Sequence, residues 1–558
     1  MSEFARRPGS DNILYRLVIS FTVILLSITQ FVSGALQDEI LLIVHNREIT
    51  KKEFLYYFHK NNQPINEATI KDFLKLFIDF QLKVAQATDE RLYGNIGFIT
   101  ELTDYRKQLA APYLTDKEKE EEFVNEAIQR LQSEFNASHI LIRLDPGSQS
   151  RDTLTAYTHA MQIRDCLING ESFARLAIAE SDDPLVAKDS GDLGYLTAFQ
   201  TEYPFETAVF SLAPGEISMP VRTKSGYHII KLNEKREASG TIMNEQEVKE
   251  LIYKAKDKRA ETIRNAFVEK LKSYWDFREN LDALEIIYEL TDERVFKGNW
   301  IPPANQTFND TLFYIDKKGL TQQKFIEFIS DYETDNREMS IKEYIFSLYR
   351  QFVSSSLIRY ENYKLEEKYP EFRFQLQEYR DAMLLEAITR KQVLSKAESD
   401  RAGMGKFYSD NIKNYMWGER LYADICFTSN KKVAERGARL IAKMLNNKDT
   451  GINQMLTQIN TVNNKPYLTA KRGTFSRGDH PLIDQIIWKK GVSGIKQIQG
   501  KYQFAVVYDI LKPEVKNLDE VYDTVFNDYK NYLMDKWIEE LRNTYRVEIN
   551  QEVLSSIK

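Results

Sequence analysis

Apolar positions along this 558-residue chain change their spacing several times, and each change predicts a different element. Ile40–Val44 is a short apolar run that ends in a turn at Asn46, which predicts a strand. Thr50 with Glu53 three residues later predicts the start of a helix. "IKDFLKLFIDFQLKVAQA" continues with apolar residues at helical spacing, and the helical pattern resumes until it is interrupted near Pro112. The part of the chain up to residue 135 is therefore predicted to be mostly helical.

From Ala137 onward the apolar residues alternate instead. "ASHILIRL" predicts a strand, and two helical patterns follow, the first ending at Gly170. The stretch Gly191–Leu232 is rich in Gly, Pro and aromatic residues and closes on the strand pattern "YHIIKLNE". A long charged helix is predicted from Asn244 to about Trp275. Alternating strands beside amphipathic helices predict an α+β fold.

The second half of the chain repeats the first in the same order. "TLFYIDKKGLTQQKFIEFI" aligns with "LLIVHNREITKKEFLYYF", which places Thr321 on Thr50 and Phe325 on Phe54. "LQEYRD" then aligns with "LTDYRK", and "ERLYADICF" aligns with "SEFNASHIL". The shared order of these weak matches predicts an internal duplication.

The N-terminus has the order of a secretory signal peptide. Arg6, Arg7 and Arg16 precede the uncharged run Leu17–Gly34, and the small residue Ala35 follows it. Residues 1–35 are predicted to be a signal peptide, with an uncleaved membrane anchor as the alternative because the run is long enough to span a bilayer. In either case we expect the rest of the chain outside the cytoplasm, in the periplasm.

Composition narrows the functional classes. The net charge is −6, and Lys and Arg are interspersed with Asp and Glu, so the chain lacks the basic stripe that nucleic-acid binding requires. The chain has two cysteines, Cys166 and Cys426, and both lie in patterns that predict small buried apolar residues rather than a disulfide. Neither belongs to a ligand pattern, so we expect no metal and no cofactor.

Five short motifs occur in order between Asn136 and Lys235: "SHILI", "SDDP", "GDLG", "PFETAVF" and "TKSGYHIIKL". As a set they resemble the parvulin-type (PpiC or rotamase) peptidyl-prolyl cis/trans isomerases. The resemblance implies a four-stranded antiparallel sheet wrapped by helices. The flanking segments resemble the envelope chaperone-isomerases SurA, PrsA and PpiD, in which such domains are embedded between helical chaperone segments.

The resemblance also implies which residues form the catalytic site. His139 and His228 match the two facing histidines of the family, and Asp183 matches a position that is aspartate in many bacterial members. Thr223 and Ser225 match the polar wall beside the second histidine. From the residues alone, His228 could instead be a paired structural histidine and Asp183 a turn or cap residue.

The substrate-binding residues follow from the same motifs. Leu193, Phe205 and Phe210 match the apolar floor that receives the proline ring, and Gln200 matches the rim. Leu193 and Phe205 could equally be ordinary core residues. Thr201 stands where the family usually carries methionine, and this departure predicts weaker proline binding.

The second repeat is predicted to keep the fold and lose the site. Ile425 matches His139 and Gln503 matches His228, while "PLIDQII" matches "PFETAVF" without either phenylalanine. "YQFAVVYDI" still alternates as a strand should. Tyr415–Pro513 is therefore predicted to be a degenerate parvulin-like domain.

These patterns divide the chain into seven predicted segments. In order they are a signal peptide (1–35), a helical chaperone segment (36–135), the isomerase domain (136–235), a helical linker (236–300), a second helical segment (301–414), the degenerate domain (415–513) and a C-terminal helix (514–558). The resemblance implies an exported peptidyl-prolyl isomerase and chaperone that acts on unfolded envelope and outer-membrane polypeptides containing X-Pro bonds. The alternative is a holdase whose parvulin-like domains only bind unfolded peptide. We expect membrane contact only through an uncleaved N-terminal segment.

Overall fold

The computed structural model describes residues 39–60, 64–144, 150–184, 188–238, 243–254, 257–303, 306–330, 339–445, 452–460 and 467–557. The predicted signal peptide lies outside the described residues. Strands pair in antiparallel fashion throughout the described sheets, and helices pack beside them, so the predicted α+β class is confirmed. Within these ranges no helix combines the length and apolar character needed to cross a membrane.

The strands follow one another along the chain as β1 (Ile40–Val44), β2 (Arg47–Thr50), β3 (Ser133–Arg143), β4 (Asp192–Leu196), β5 (Val221–Thr223), β6 (Gly226–Glu237), β7 (Arg278–Glu279), β8 (Thr311–Ile315), β9 (Lys318–Thr321), β10 (Met416–Trp417), β11 (Arg420–Thr428), β12 (Thr469–Phe475), β13 (Gly491–Val492), β14 (Lys496–Ile498), β15 (Lys501–Leu511), β16 (Glu514–Val515) and β17 (Val547–Ile549).

The helices are α1 (Lys51–Lys60), α2 (Glu67–Asp89), α3 (Ile96–Ala110), α4 (Lys117–Leu131), α5 (Ser150–Ile168), α6 (Phe173–Glu180), α7 (Tyr203–Ser211), α8 (Glu245–Lys254), α9 (Lys258–Tyr274), α10 (Glu285–Leu290), α11 (Gln322–Ser330), α12 (Ile341–Lys368), α13 (Pro370–Thr389), α14 (Ser395–Ser399), α15 (Arg401–Asp410), α16 (Lys431–Met444), α17 (Ile452–Asn460), α18 (Pro481–Gln485), α19 (Tyr522–Thr544) and α20 (Gln551–Ser555).

Local signals explain several of these boundaries. The Thr50 hydroxyl accepts a hydrogen bond from the Glu53 backbone N–H at 3.2 Å, so α1 begins at the predicted position. The interruption at Pro112 is also confirmed, because it lies between α3 and α4. The long charged helix predicted from Asn244 is instead α8 and α9, and Asp257 caps the second of them with its side chain.

The chain divides into two compact units. One is Arg91–Leu384, and the other joins Leu385–Lys558 to the described part of Met1–Glu90. This division into two units does not test the boundaries of the seven segments, which stay a prediction from the sequence.

The unit Arg91–Leu384 contains a four-stranded sheet in the order β4-β3-β6-β5. Successive residues of a strand point to opposite faces, so the long strands β3 and β6 bury two different sets of side chains. On one face Ile140, Ile142 and Ile229 share a core with α5 and α6. On the other, side chains such as Phe135 and Ile230 pack on α7. Cys166 of α5 is only half-buried, because it lies at the margin of the first core, so the prediction that it is a buried residue is wrong.

A second core of this unit surrounds the three-stranded sheet β7-β8-β9. Phe313 of β8, Phe325 of α11 and Phe352 of α12 meet there, with the Phe313 and Phe352 ring centroids 5.4 Å apart. Helix α9 contributes Phe267 and Leu271 to this core.

The other unit has the same two kinds of sheet. A three-stranded sheet has the order β17-β1-β2, and a larger sheet has the order β12-β11-β15-β13, with β14 also paired to β15. One face of the larger sheet packs on α18, and the other packs on α16 and α17. Cys426 is fully buried in the latter core, as predicted.

Strand register supports the predicted duplication in detail. The hairpin β1-β2 pairs Leu42 with Ile49, and the hairpin β8-β9 pairs Phe313 with Leu320 at the aligned positions. The register shifts just before this pair in both hairpins, between Ile40 and Leu42 in one and between Thr311 and Phe313 in the other. Each hairpin also has a turn residue with positive φ, His45 in one and Asp316 in the other.

The larger sheets agree in the same way. The register of β3 against β6 shifts between Asn136 and Ala137, and that of β11 against β15 shifts between Tyr422 and Ala423. These residues occupy aligned positions, so both sheets contain the same irregularity. The hairpin of each repeat lies in the unit that holds the other repeat's larger sheet.

Candidate functional site

The pairing of β3 with β6 brings the two predicted histidines together. Leu141 is opposite His228 and His139 is opposite Ile230, which places both imidazoles on the same face of the sheet. Their Nδ1 atoms are 3.0 Å apart, and the two rings are nearly parallel, with an interplanar angle of 15°. His139 is 4% exposed and His228 is 8% exposed, so the pair is buried.

Two motif glycines permit this close arrangement. Gly226 has φ of +145°, and a Cβ atom there would lie 2.1 Å from the carbonyl oxygen of Ile142. Gly191 has φ of +88°, and its carbonyl accepts a hydrogen bond from the His139 backbone N–H at 2.8 Å. A Cβ at Gly191 would lie 3.0 Å from the His139 carbonyl oxygen. The glycines of "SGYH" and "SGDLG" therefore let two neighbouring backbone segments approach β3, the strand of His139, closely.

The polar atoms around the histidines form a chain of polar contacts that runs from Thr223 through the two imidazoles to Asp183. Thr223 Oγ1 lies 2.8 Å from His228 Nε2 and also accepts the Ser225 backbone N–H at 3.2 Å. His139 Nε2 lies 3.5 Å from Asp183 Oδ2. With both rings neutral, one assignment gives each of the two short hydrogen bonds a donor and an acceptor. The Thr223 hydroxyl donates to His228, His228 Nδ1–H donates to His139 Nδ1, and His139 Nε2–H points to Asp183.

The environment keeps both imidazoles uncharged. The pKa of His228 is lowered from 6.5 to about 3, chiefly by burial, with the neighbouring His139 and Arg222 adding to the shift and Asp183 opposing it. Burial also lowers the pKa of His139, against the attraction of the Asp183 carboxylate. A charged imidazole loses its hydration here without a full replacement, so the neutral pair is the stable form at neutral pH.

Asp183 is held beside β3 by its neighbours in "SDDP". The Asp182 backbone N–H donates to the Leu141 carbonyl at 2.8 Å, and the Leu141 N–H donates to the Ser181 hydroxyl at 3.2 Å. These bonds fix the segment Ser181–Asp182 against the backbone of β3, so the Asp183 carboxylate lies beside His139.

Phe205 covers the histidine pair from α7. Its ring centroid lies 5.8 Å from that of His139 and 5.3 Å from that of His228, with its plane nearly perpendicular to both. Phe205 is 3% exposed and also belongs to the core with Leu193 beside it. Phe210 packs edge-on against Phe135, at 5.4 Å, within the same core. Phe205 thus serves as core and faces the histidines at once.

Three predicted residues lie at the margin instead. The Ser225 side chain is exposed on the turn between β5 and β6, and only its backbone joins the network. Gln200 is exposed, and its side-chain oxygen accepts the Thr197 N–H at 2.7 Å. Thr201 is half-buried, and its hydroxyl has no hydrogen-bond partner among the described residues.

One buried residue was missed in the sequence. Glu206 follows Phe205 on α7, and its side chain is fully buried against Arg130 and Arg259. The available signal was a carboxylate inside the apolar motif "PFETAVF". No grouping of His, Cys, Asp and Glu suited to a metal ion occurs within the ranges that the structure describes.

Comparison with known proteins identifies the region that carries this site. Residues 139–234 match the family model "Rotamase: PPIC-type PPIASE domain". The chain is 30% identical to the Chaperone SurA of Pseudomonas aeruginosa over 193 residues, which is 33% of this chain and 46% of that protein. It is 36% identical to the Foldase protein PrsA of Oceanobacillus iheyensis over 134 residues, 24% of this chain and 41% of that one.

The chain is also similar to a solved structure over part of its length. The parvulin of Nitrosopumilus maritimus is 37% identical, spans 18% of this chain and 97% of its own, and has a TM-score of 0.16. The chain spans less than half the length of the SurA and PrsA proteins above. Residues 139–234 therefore form a parvulin-type peptidyl-prolyl isomerase domain, within a chain related to the chaperones SurA and PrsA.

Proposed function

We propose that this protein is an exported chaperone-isomerase that catalyses rotation about X-Pro bonds in unfolded envelope and outer-membrane polypeptides. The observation that carries the proposal is the uncharged, hydrogen-bonded pair His139–His228 beneath Phe205, in a domain of the rotamase family. His139, Asp183, Thr223 and His228 are the proposed catalytic set.

The chemistry requires no covalent intermediate. Amide resonance opposes rotation with a barrier of about 20 kcal/mol, and the unaided reaction takes tens of seconds or more. A site that binds the twisted amide more tightly than either planar isomer lowers this barrier. Near Phe205 and Leu193 the surroundings are apolar, which favours a substrate amide whose charge separation has been reduced by twisting. The neutral imidazoles and the Thr223 hydroxyl supply hydrogen bonds without a full charge.

The remaining predicted site residues belong to substrate binding in this proposal. Phe205, Phe210 and Leu193 form the apolar floor, and Thr201 and Gln200 form the rim. Ser225 contributes through its backbone N–H, which orients Thr223. The relatives' names, chaperone and foldase, support unfolded polypeptide as the substrate class.

The export step is tested separately. N-terminal sequencing of the protein from the cell envelope is expected to show a mature chain that begins near Ala35 or Leu36. Full-length protein recovered from the cytosol would contradict the predicted location.

A prolyl isomerisation assay on a short X-Pro peptide tests the activity. The full-length chain is expected to accelerate isomerisation, and Thr223→Val is expected to lower kcat/KM about tenfold, because it removes the donor to His228 Nε2. Thr158→Val is the matched control, since Thr158 is exposed on α5 and donates only to the Leu154 carbonyl. Absence of catalysis by the wild-type chain refutes the proposed activity.

A second function, peptide holding without catalysis, is favoured by the sheet of Tyr415–Pro513. Ile425 and Gln503 occupy the register positions of His139 and His228, since Gln503 is opposite Phe427 as His228 is opposite Leu141. Leu482, Ile483 and Ile498 fill that face with aliphatic side chains. We propose a division in which residues 136–235 catalyse while the degenerate domain is structural or binds client.

A further inference from the structure

A buried ion cluster joins the isomerase domain to helices outside it. Glu206 of α7 and Arg259 of α9 form an ion pair in which both side chains are 0% exposed. Arg130 of α4 donates to the same carboxylate oxygen of Glu206 at 2.9 Å. Both arginines lie outside residues 139–234, one on each side of the domain in sequence.

The same cluster contacts the rim of the candidate site. Glu206 Oε2 accepts the backbone N–H of Phe199 at 2.9 Å. The Arg259 guanidinium lies 4.7 Å from the ring centroid of Phe199 and 4.2 Å from that of Tyr203. Phe199 immediately precedes Gln200 and Thr201, and Tyr203 begins the helix that carries Phe205. One guanidinium therefore packs on both ends of the segment that forms the rim.

Arg130 strengthens this connection from the other side. Its guanidinium lies 5.4 Å from the Tyr203 ring and 5.3 Å from the Phe210 ring. Glu126 and Asp257 balance the charge, with Arg130 2.8 Å from Glu126 and Arg259 3.0 Å from Asp257. Each charged group thus has a partner of opposite sign.

Stability alone does not account for such a cluster. Burying several charges costs desolvation that their attraction only partly offsets, and apolar side chains of the same volume stabilise a core as well or better. What buried ion pairs supply is a fixed geometry, because breaking the pair leaves a charge without a partner. Here the fixed geometry is that of residues 199–206.

We propose that Glu206 and Arg259 are positioning residues, which set the rim of the isomerase site from a helix outside the isomerase domain. The effect on KM rests on the proposed isomerase function, whereas the effect on the rim backbone does not. Neither residue touches the histidine pair; both act through Phe199 and Tyr203.

Hydrogen exchange of the full-length chain tests the effect on the rim. Arg259→Gln and Glu206→Gln are each expected to speed amide exchange in peptides covering residues 197–202 by about tenfold, because the cluster no longer holds the Phe199 segment. Arg259→Lys, which keeps the charge but loses the planar group over both rings, is expected to give a smaller increase.

The matched control is Glu361→Gln in the same unit. Glu361 is 1% exposed and accepts hydrogen bonds from Trp275 Nε1 and Lys368 Nζ, both at 2.7 Å, so it is an equally buried carboxylate within another core. This variant is expected to lower thermal stability without changing exchange at residues 197–202.

Isomerisation kinetics supply the second readout. The rim contacts substrate in the ground state and transition state alike, so Arg259→Gln and Arg259→Lys are expected to raise KM, by about tenfold for the former, with kcat within about twofold of wild type. Glu361→Gln is expected to leave both constants unchanged.

The outcomes separate the two proposals. Unchanged rim exchange in a folded Arg259→Lys or Arg259→Gln chain overturns the positioning role, and so does faster exchange with an unchanged KM. Faster rim exchange in Glu361→Gln also overturns it, because general destabilisation would then explain the effect. A wild-type chain with no isomerase activity overturns the proposed function, and the exchange measurement still decides whether the cluster fixes the rim.

Discussion

The buried imidazole of His228 is expected to make the isomerase domain sensitive to acid. Its pKa falls from 6.5 to about 3 on folding, chiefly because burial removes the hydration of the charged form. Below about pH 6.5 the imidazole of His228 is therefore protonated in the unfolded chain and stays neutral in the folded domain. Above this pH protonation of His228 does not lower the free energy of unfolding. As the pH falls toward 3, that free energy decreases by about 1.4 kcal/mol per pH unit, or about 2 kcal/mol between pH 7 and pH 5.

Replacing His228 with glutamine isolates this contribution. Glutamine does not titrate, and it occupies the register-equivalent position, Gln503, in the second repeat. The full-length chain is equilibrated in urea at pH 7, 6 and 5 and then labelled by a brief deuterium pulse at one fixed pH. Peptides from β6 report the unfolded fraction of this domain. The wild type is expected to lose about 2 kcal/mol more than His228→Gln between pH 7 and pH 5.

Parallel losses in the two proteins would refute this reasoning, because the proton uptake would then lie elsewhere. A wild-type domain as stable at pH 5 as at pH 7 would refute it as well. The remaining loss in His228→Gln is expected to include His139, whose pKa is also lowered by burial.

Local sequence patterns sufficed for the parts of the site that depend on short spacing. Alternation in "SHILI" and "GYHII" places His139 and His228 on one face once the two strands pair. The glycine of "GYHII" marks a backbone position that a side chain would block, because a Cβ atom at Gly226 would lie 2.1 Å from the carbonyl oxygen of Ile142. Motif order could therefore identify the domain and its facing histidines.

Longer-range features were not predictable in this way. Glu206 and Arg259 are 53 residues apart, and nothing in either local pattern indicates that they pair. Ser225 and Thr223 looked equivalent in "TKSG", but Thr223 is the last residue of β5 and its side chain is buried, whereas Ser225 lies beyond the strand on the turn to β6, where its side chain is exposed. The sequence also did not predict that the hairpin of each repeat lies in the unit with the other repeat's larger sheet. Alignment of the two repeats matches the hairpins to each other but does not indicate which unit each hairpin joins.

Three further substitutions test individual contacts. Thr201→Met is expected to lower KM, because it adds apolar contact and removes a buried hydroxyl without a described partner; a higher KM would count against its place at the rim. Phe205→Ala is expected to remove most isomerase activity and to cost about 3–5 kcal/mol of stability in urea titrations, since the ring is 3% exposed, and a loss near zero would contradict its core role. Gly226→Ala is expected to destabilise the domain by at least about 2 kcal/mol. The control is Gly170→Ala, whose φ is also positive, at +98°, and which has no atom within 4 Å of the new Cβ; equal losses would show that the backbone conformation alone matters.

The division between a catalytic and a degenerate domain is the central claim, and one double variant tests it directly. His139→Ile combined with His228→Gln gives the first sheet the residues that the second sheet carries at the same register. The full-length variant and wild type are compared in two assays, isomerisation of an X-Pro peptide and suppression of aggregation of an unfolded client. We predict that isomerisation falls to the uncatalysed rate while suppression stays within about twofold of wild type. Loss of both activities together, or appreciable isomerisation by the variant, would contradict the division.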